Sequence, residues 1–216
     1  KFVGHPIFDE WAPTHKRDLC NILTLNPDKP ILALFPGSRE QELNQHLSLF
    51  IKVAEKLRHK NYQIQFILGL SQKLNLDHFS IPDWIQIKKD YSQKALECAD
   101  VALVASGSAT LEAAVFGTPM IIIYKMNILS WWLSKLLVKT DYAGMVNIIA
   151  GRKIMPEYLQ NQANTDSITK EAFKMLSSNE IQNKMKNQLL RVQQKLESKG
   201  ASQSAAVHIL SLAGSQ

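Results

Sequence analysis

The chain has 216 residues, 45% of them hydrophobic and 20% charged, with a formal net charge of +6. That length and apolar share suit one large domain, alone or with a small extension, with enough interior for a real core. No apolar run reaches the roughly 18 residues of a membrane-crossing helix. The lysines are scattered rather than gathered with aromatics into the stripe that nucleic acid recognition uses, so the positive balance points to phosphate-bearing ligands or anionic lipid and no nucleic acid is expected.

The opening stretch KFVGHPIFDEW carries no signal peptide and reads as the interior of a longer protein, with residues 1–14 as a linker. Apolar runs of strand length follow at 31–35 (ILALF), 64–68 (IQFIL), 84–87 (WIQI), 100–106 (DVALVAS) and 120–124 (MIIIY). Between the first two, Leu43, Leu47, Phe50, Ala54 and Leu57 step by 4, 3, 4 and 3, which marks one face of a helix over 40–58. Shorter helices are predicted at 92–99 and 109–117. Near-continuous apolar strands alternating with helices indicate a parallel sheet covered on both faces. The expected fold is therefore α/β, a Rossmann-like doubly wound parallel sheet over residues 15–162, followed by C-terminal helices over 163–216.

In that last part PEYLQ, with Pro156 near a first turn, is predicted to open a helix. Helices are also predicted over 165–177, 178–198 and 203–213. The last of these carries Ala205, Ala206, Ile209 and Leu210, a face able to dock on the same domain or on a partner domain. Cys20 and Cys98 are far apart in sequence and give neither a disulfide framework nor metal spacing. Cys98 reads as a buried free thiol, and the pair suits a reducing, cytoplasmic setting.

Two strand-to-helix turns carry candidate chemistry. In Pro36-Gly37-Ser38-Arg39, Ser38 is placed as an N-cap with Gln41 completing a capping box, which is sufficient reason for the motif on its own. The same turn offers free backbone N–H groups to a phosphate, with Gly37 allowing close approach and Arg39 supplying a forked cation. The second turn is Ser106-Gly107-Ser108-Ala109-Thr110. Glu112 is placed in the first turn of the following helix, where the macrodipole favours a carboxylate and where a ribose diol could be held beside a diphosphate. Gly117-Thr118-Pro119 then ends the helix and launches the next strand. No Asp-x-Asp pair and no His/Cys cluster is present, so no metal is expected.

One segment stands apart. NILSWWLSKLLVKT, 127–140, has an apolar band containing Trp131, Trp132, Leu133 and Leu136 that is too broad for an ordinary surface helix. It suits either a half-buried helix or one lying in a membrane surface, with tryptophans at the interface and Lys135 and Lys139 flanking them.

The order of strand, S-G-x-x-T-x-x-E, helix, G-x-P and apolar strand resembles the nucleotide-binding half of GT-B glycosyltransferases that use UDP-sugars. GHP at 4–6, PGSR at 36–39, SGSATLE at 106–112, VKTDY at 138–142 and NIIAGR at 147–152 together resemble the lipid-A-disaccharide synthase family over residues 2–162. That resemblance implies transfer of 2,3-diacylglucosamine from UDP-2,3-diacylglucosamine to 2,3-diacylglucosamine 1-phosphate (lipid X), at the inner face of the bacterial inner membrane. By the same resemblance Gly37, Ser38 and Arg39 face the diphosphate, with Arg39 stabilising the leaving group. Ser106, Gly107, Ser108 and Thr110 line the second turn, Glu112 meets the ribose, and Asn147 and Arg152 belong to a nucleotide loop. It further implies lipid or acyl contact by the Trp131 segment, no cofactor beyond UDP itself, and an N-terminal acceptor domain that supplies the general base. The chain by itself is then expected to bind UDP without turnover. Peptidoglycan UDP-GlcNAc transferase and UDP-GlcNAc 2-epimerase share the architecture and stay open as alternatives, as does a non-catalytic UDP-binding module.

Overall fold

The computed structural model describes residues 4–125, 142–196 and 200–213. Six strands, β1 (Ile31–Phe35), β2 (Gln65–Gly69), β3 (Ile85–Lys88), β4 (Val101–Ala105), β5 (Met120–Tyr124) and β6 (Glu157–Leu159), form one parallel sheet in the order β3-β2-β1-β4-β5-β6. Before β1 come α1 (Ile7–Glu10) and α2 (Lys16–Leu23); α3 (Glu40–Lys60), α4 (Ser92–Cys98) and α5 (Ser108–Phe116) connect strands. The later helices are α6 (Met145–Ala150), α7 (Thr165–Leu176), α8 (Asn179–Leu196) and α9 (Ala201–Ala213).

The five predicted strands are all present. The sixth, β6, differs from the helix start that the sequence predicts at Glu157–Leu159. Its backbone instead extends the sheet beside β5: the Ile122 amide donates to the Pro156 carbonyl at 2.9 Å, and Ile122 is in register with Glu157. An uncovered row of peptide groups along β5 outweighs the local signal of a proline at a helix start.

Every residue of β1 and β4 is buried, as a central parallel sheet requires. Right-handed crossovers run outward from β1 in one direction and from β4 in the other, which places α3 on one face and α4 and α5 on the opposite one. On its own face α3 is joined by α7; on the other, α2 joins α4, and α8 packs on α5 and α6. The helical face read from the sequence is the buried one: Leu43, Leu47, Phe50, Ala54 and Leu57 have no exposed surface. Each such leucine or phenylalanine contributes about 1.5–3 kcal/mol relative to leaving it in water.

The register of the two central strands is fixed at their amino ends. Asp100, just before β4, accepts the Ile31 amide at 2.9 Å and the Lys16 ammonium at 2.6 Å. Phe35 then lies opposite Val104, so β1 and β4 stop level and their turns open side by side. The fold also brings Cys20 of α2 to Cys98 of α4, with the two sulfurs 3.3 Å apart, both buried and free. Burial pushes the Cys98 thiol far above its usual range, so it packs as a small apolar group.

Candidate functional site

A cavity of about 710 Å³ opens across the carboxyl ends of β1 to β4, lined by both turns singled out in the sequence. Strand order reverses between β1 and β4, and open α/β sheets bind ligands outside the strand ends at that point. Phe35 forms part of the floor. Its ring lies where a side chain on Gly69 would have to go, since a Cβ there would come within 2.3 Å of Phe35 Cζ.

On the β1 side the local structure differs from the predicted cap. Helix α3 begins at Glu40 with Arg39 as N-cap, so Ser38 lies one residue outside it and Gln41 closes no box. Glu42 does this work: its Oε2 accepts the Ser38 amide at 2.7 Å and the Arg39 amide at 3.3 Å. Gly37 has φ +130°, and a Cβ on it would stand 2.3 Å from Glu42 Cβ, so only glycine permits this turn. The Arg39 guanidinium is largely exposed, its Nη1 3.7 Å from Glu42 Oε1.

On the β4 side, Ser106, Gly107, Ser108 and Glu112 line the cavity. Thr110 does not: it is fully buried, and its hydroxyl donates to the Gly107 carbonyl at 2.8 Å, bracing the turn from within. The Ser106 hydroxyl donates to the Ala143 carbonyl at 2.9 Å. Because α5 begins at Ser108, Glu112 falls in its second turn rather than its first. Burial is the main cause that pushes its carboxyl up, opposed by a hydrogen bond from Gln93 and by the nearby His5. His5 itself accepts the Ile7 amide at Nδ1 and donates its own amide to the Leu196 carbonyl, which ties the entry segment to α8.

Asn147 and Arg152 sit away from the cavity. Asn147 is fully buried in α6; its Oδ1 accepts the Ile154 and Met155 amides, and its Nδ2 donates to the Met155 carbonyl and to Glu157 Oε1. Glu157 also accepts the Gly144 amide at 2.9 Å and the Ala143 amide at 3.0 Å. One buried amide and one buried carboxylate thus hold the segment that Ser106 touches. Arg152 is exposed just beyond α6. Trp131, Trp132, Leu133 and Leu136 lie outside the described residues.

Two contributions were missed in the sequence. One is Glu42, hidden in a charged run. The other is the β3–α4 turn, where Lys89, Asp90, Tyr91 and Gln93 form the third wall. The signal for it was present: KKDYSQK follows a predicted strand and precedes a predicted helix, as the other two turns do. Arg39, Lys73, Lys89 and Lys94 line the cavity together with Glu42, Asp90 and Glu112, so its walls offer both cations for an anionic group and carboxylates for hydroxyls.

This sheet order, with a cavity at its switch point, defines a Rossmann-like α/β domain, and its fold is the one found in GT-B glycosyltransferases. Solved structures share it. The calicheamicin glycosyltransferase CalG4 superposes with a TM-score of 0.59 at 18% identity, over 94% of this chain and 46% of that one. Sucrose-phosphate synthase from Thermosynechococcus elongatus gives 0.59 at 13%, over 94% and 50%. A putative UDP-N-acetylglucosamine 2-epimerase from Listeria monocytogenes gives 0.58 at 15%, over 99% and 54%.

The chain belongs to the lipid-A-disaccharide synthetase family, whose model matches residues 1–210. It is 35% identical over 209 residues to the lipid-A-disaccharide synthase of Coxiella burnetii (strain Dugway 5J108-111), covering 95% of this chain and 55% of that protein. It is 34% identical over 222 residues to the synthase of Geobacter sulfurreducens, covering 100% and 58%. The chain therefore spans little more than half the length of the relatives it matches.

Proposed function

We propose that this chain is the donor-binding half of a lipid-A-disaccharide synthase, holding UDP-2,3-diacylglucosamine for transfer of its sugar to lipid X. The observation that carries the reading is the meeting of the β1–α3 and β4–α5 turns in one cavity at the strand switch point, with Arg39 and Glu112 both on its wall. Membership of the lipid-A-disaccharide synthetase family supports that substrate class.

In this reading the departing UDP concentrates negative charge on its diphosphate, and stabilising that charge is the electrostatic task of this half. Arg39 approaches the diphosphate oxygens, and the turn amides at Ser38 and Ser108 face it from two sides. Gly107, with open space where a side chain would start, lets a phosphate come close to the backbone, while the space over Gly37 is taken by Glu42. Glu112 accepts the ribose hydroxyls, its carboxylate steadied by Gln93. Neutralisation by helix N-termini and a guanidinium needs no metal, and none is invoked. The acceptor lipid and the general base are assigned to the part of the relatives that this chain does not span, so the chain binds donor without forming disaccharide. The segment around Trp131 and Trp132 is assigned to lipid contact at the cytoplasmic membrane face; among the described residues no helix is long and apolar enough to cross a membrane.

Calorimetric titration with UDP and then UDP-2,3-diacylglucosamine tests this on wild type and Glu112→Ala. Saturable binding of both is expected, with UDP affinity falling about tenfold on loss of the carboxylate. No UDP binding by the wild type would remove the reading. Disaccharide formation by the chain alone would refute the division of labour.

A further inference from the structure

Glu42 occupies the place where ligand charge is expected. Its Oε2 accepts the Ser38 and Arg39 amides at 2.7 and 3.3 Å, and its Oε1 stands 3.7 Å from Arg39 Nη1. These amides and this guanidinium are the groups that the donor-site reading gives to the diphosphate. A carboxylate on these two amides, the N-cap amide of α3 and the one before it, answers part of the turn's positive potential from within the chain. Backbone crowding does not lock the carboxylate in place: Glu42 lines the open cavity, and its side chain keeps 30% of its surface exposed. A phosphate can reach the Ser38 and Arg39 amides only by displacing it, and it stays a negative neighbour once displaced.

We propose that Glu42 is a specificity-determining residue that competes with the diphosphate for the Ser38 and Arg39 amides, and so favours the sugar ester over the free nucleoside diphosphate. This rests on the reading of the cavity as a UDP-sugar site. In the ester each phosphate carries a single charge. Free UDP ends in a phosphate monoester whose second ionisation falls at about pH 6, so at neutral pH it carries a further negative charge. Repulsion from one fixed carboxylate grows with that added charge. The turn therefore accepts the donor more readily than it retains the product, and transfer of the sugar itself raises the repulsion that expels UDP.

Replacing Glu42 by Gln keeps the side-chain shape and an amide oxygen for the turn N–H groups while removing the charge. Dissociation constants for UDP and for UDP-GlcNAc are measured by calorimetry on wild type and E42Q. UDP is expected to tighten about fivefold, and UDP-GlcNAc about twofold or less. An equal change for both ligands, or weaker UDP binding in E42Q, would overturn the proposal. A wild type that binds neither ligand sinks the donor-site reading instead, which keeps the two failures apart. Should E42Q lose cooperative melting, the wild type carries the test through amide NMR. The Ser38 and Arg39 resonances are expected to move on UDP addition as carboxylate is exchanged for phosphate. Resonances that stay fixed while UDP saturates the cavity refute the competition.

Discussion

Asn147 donates from Nδ2 to Glu157 Oε1 at 2.7 Å, joining α6 to the edge strand β6 in a buried pair. The pair is satisfied on both sides, since Asn147 takes two further amides and Glu157 takes the amides of Ala143 and Gly144. The Ser106 hydroxyl then reaches the Ala143 carbonyl, so the cavity turn is tied to a network whose other members, Ala143, Asn147 and Glu157, do not line the cavity.

Asn147→Ala is therefore expected to cost about 2–4 kcal/mol, because the Ile154 and Met155 amides and part of Glu157 lose their partners in the interior. Urea unfolding measures that loss. UDP affinity is expected to fall as well, through displacement of the Ser106 turn. A variant with wild-type stability would show that water replaces the amide.

Glu112 gives a pH signature. Burial holds its carboxyl above the ordinary value of 4.5, so the folded chain keeps this proton more tightly than the unfolded chain. Its contribution is fully present below 4.5 and is lost as pH rises through the folded value. Glu112→Gln is expected to abolish that decline and to melt above wild type at neutral pH, while binding UDP more weakly. Thermal melts from about pH 4 to about pH 8 measure the first effect, and calorimetry the second. Opposite signs for stability and binding would identify a group strained for a ligand.

His46 works in the other direction. Its Nε2 accepts the Lys125 amide at 3.1 Å, which leaves the proton on Nδ1 to be donated to the Glu42 carbonyl at 2.7 Å. Burial lowers the imidazole below 6.5, and Lys125 opposes its protonation while Glu42 favours it. Stability from the neutral ring is complete above 6.5 and is lost as pH falls through the folded value. His46→Gln is expected to flatten this acid-side loss. A melting curve with the same slope in wild type and variant would assign the loss to other groups.

The Trp131 segment is tested on vesicles containing anionic lipid. Trp131→Ser with Trp132→Ser is expected to lower binding about tenfold if those rings enter the interface. Unchanged binding together with lower stability would place them in the core instead.

Much of the fold follows from local pattern. Buried parallel strands leave continuous apolar runs, and the helix over them repeats its apolar side every three or four residues. Hence ILALF, DVALVAS, MIIIY and the Leu43-to-Leu57 face were readable from sequence. The motif order PGSR, SGSATLE and NIIAGR likewise carries the family resemblance, and both turns line the cavity.

Other features depend on where distant segments meet. Whether Glu157 begins a helix or completes a sheet is decided by the open edge of β5. Whether Thr110 and Asn147 face ligand or interior is decided by the side of the turn on which they fold. Glu42 is one acid among several in SREQEL until α3 starts at Glu40 and turns its carboxylate back onto the Ser38 amide. Cys20 and Cys98 become neighbours only once α2 packs on α4. The sequence by itself determined the alternation of strands and helices and the places of the two turns, because periodicity and turn residues are local. Only the tertiary structure decided which polar groups are spent on one another and which still face the cavity, because burial and hydrogen-bond pairing depend on segments far apart in the chain.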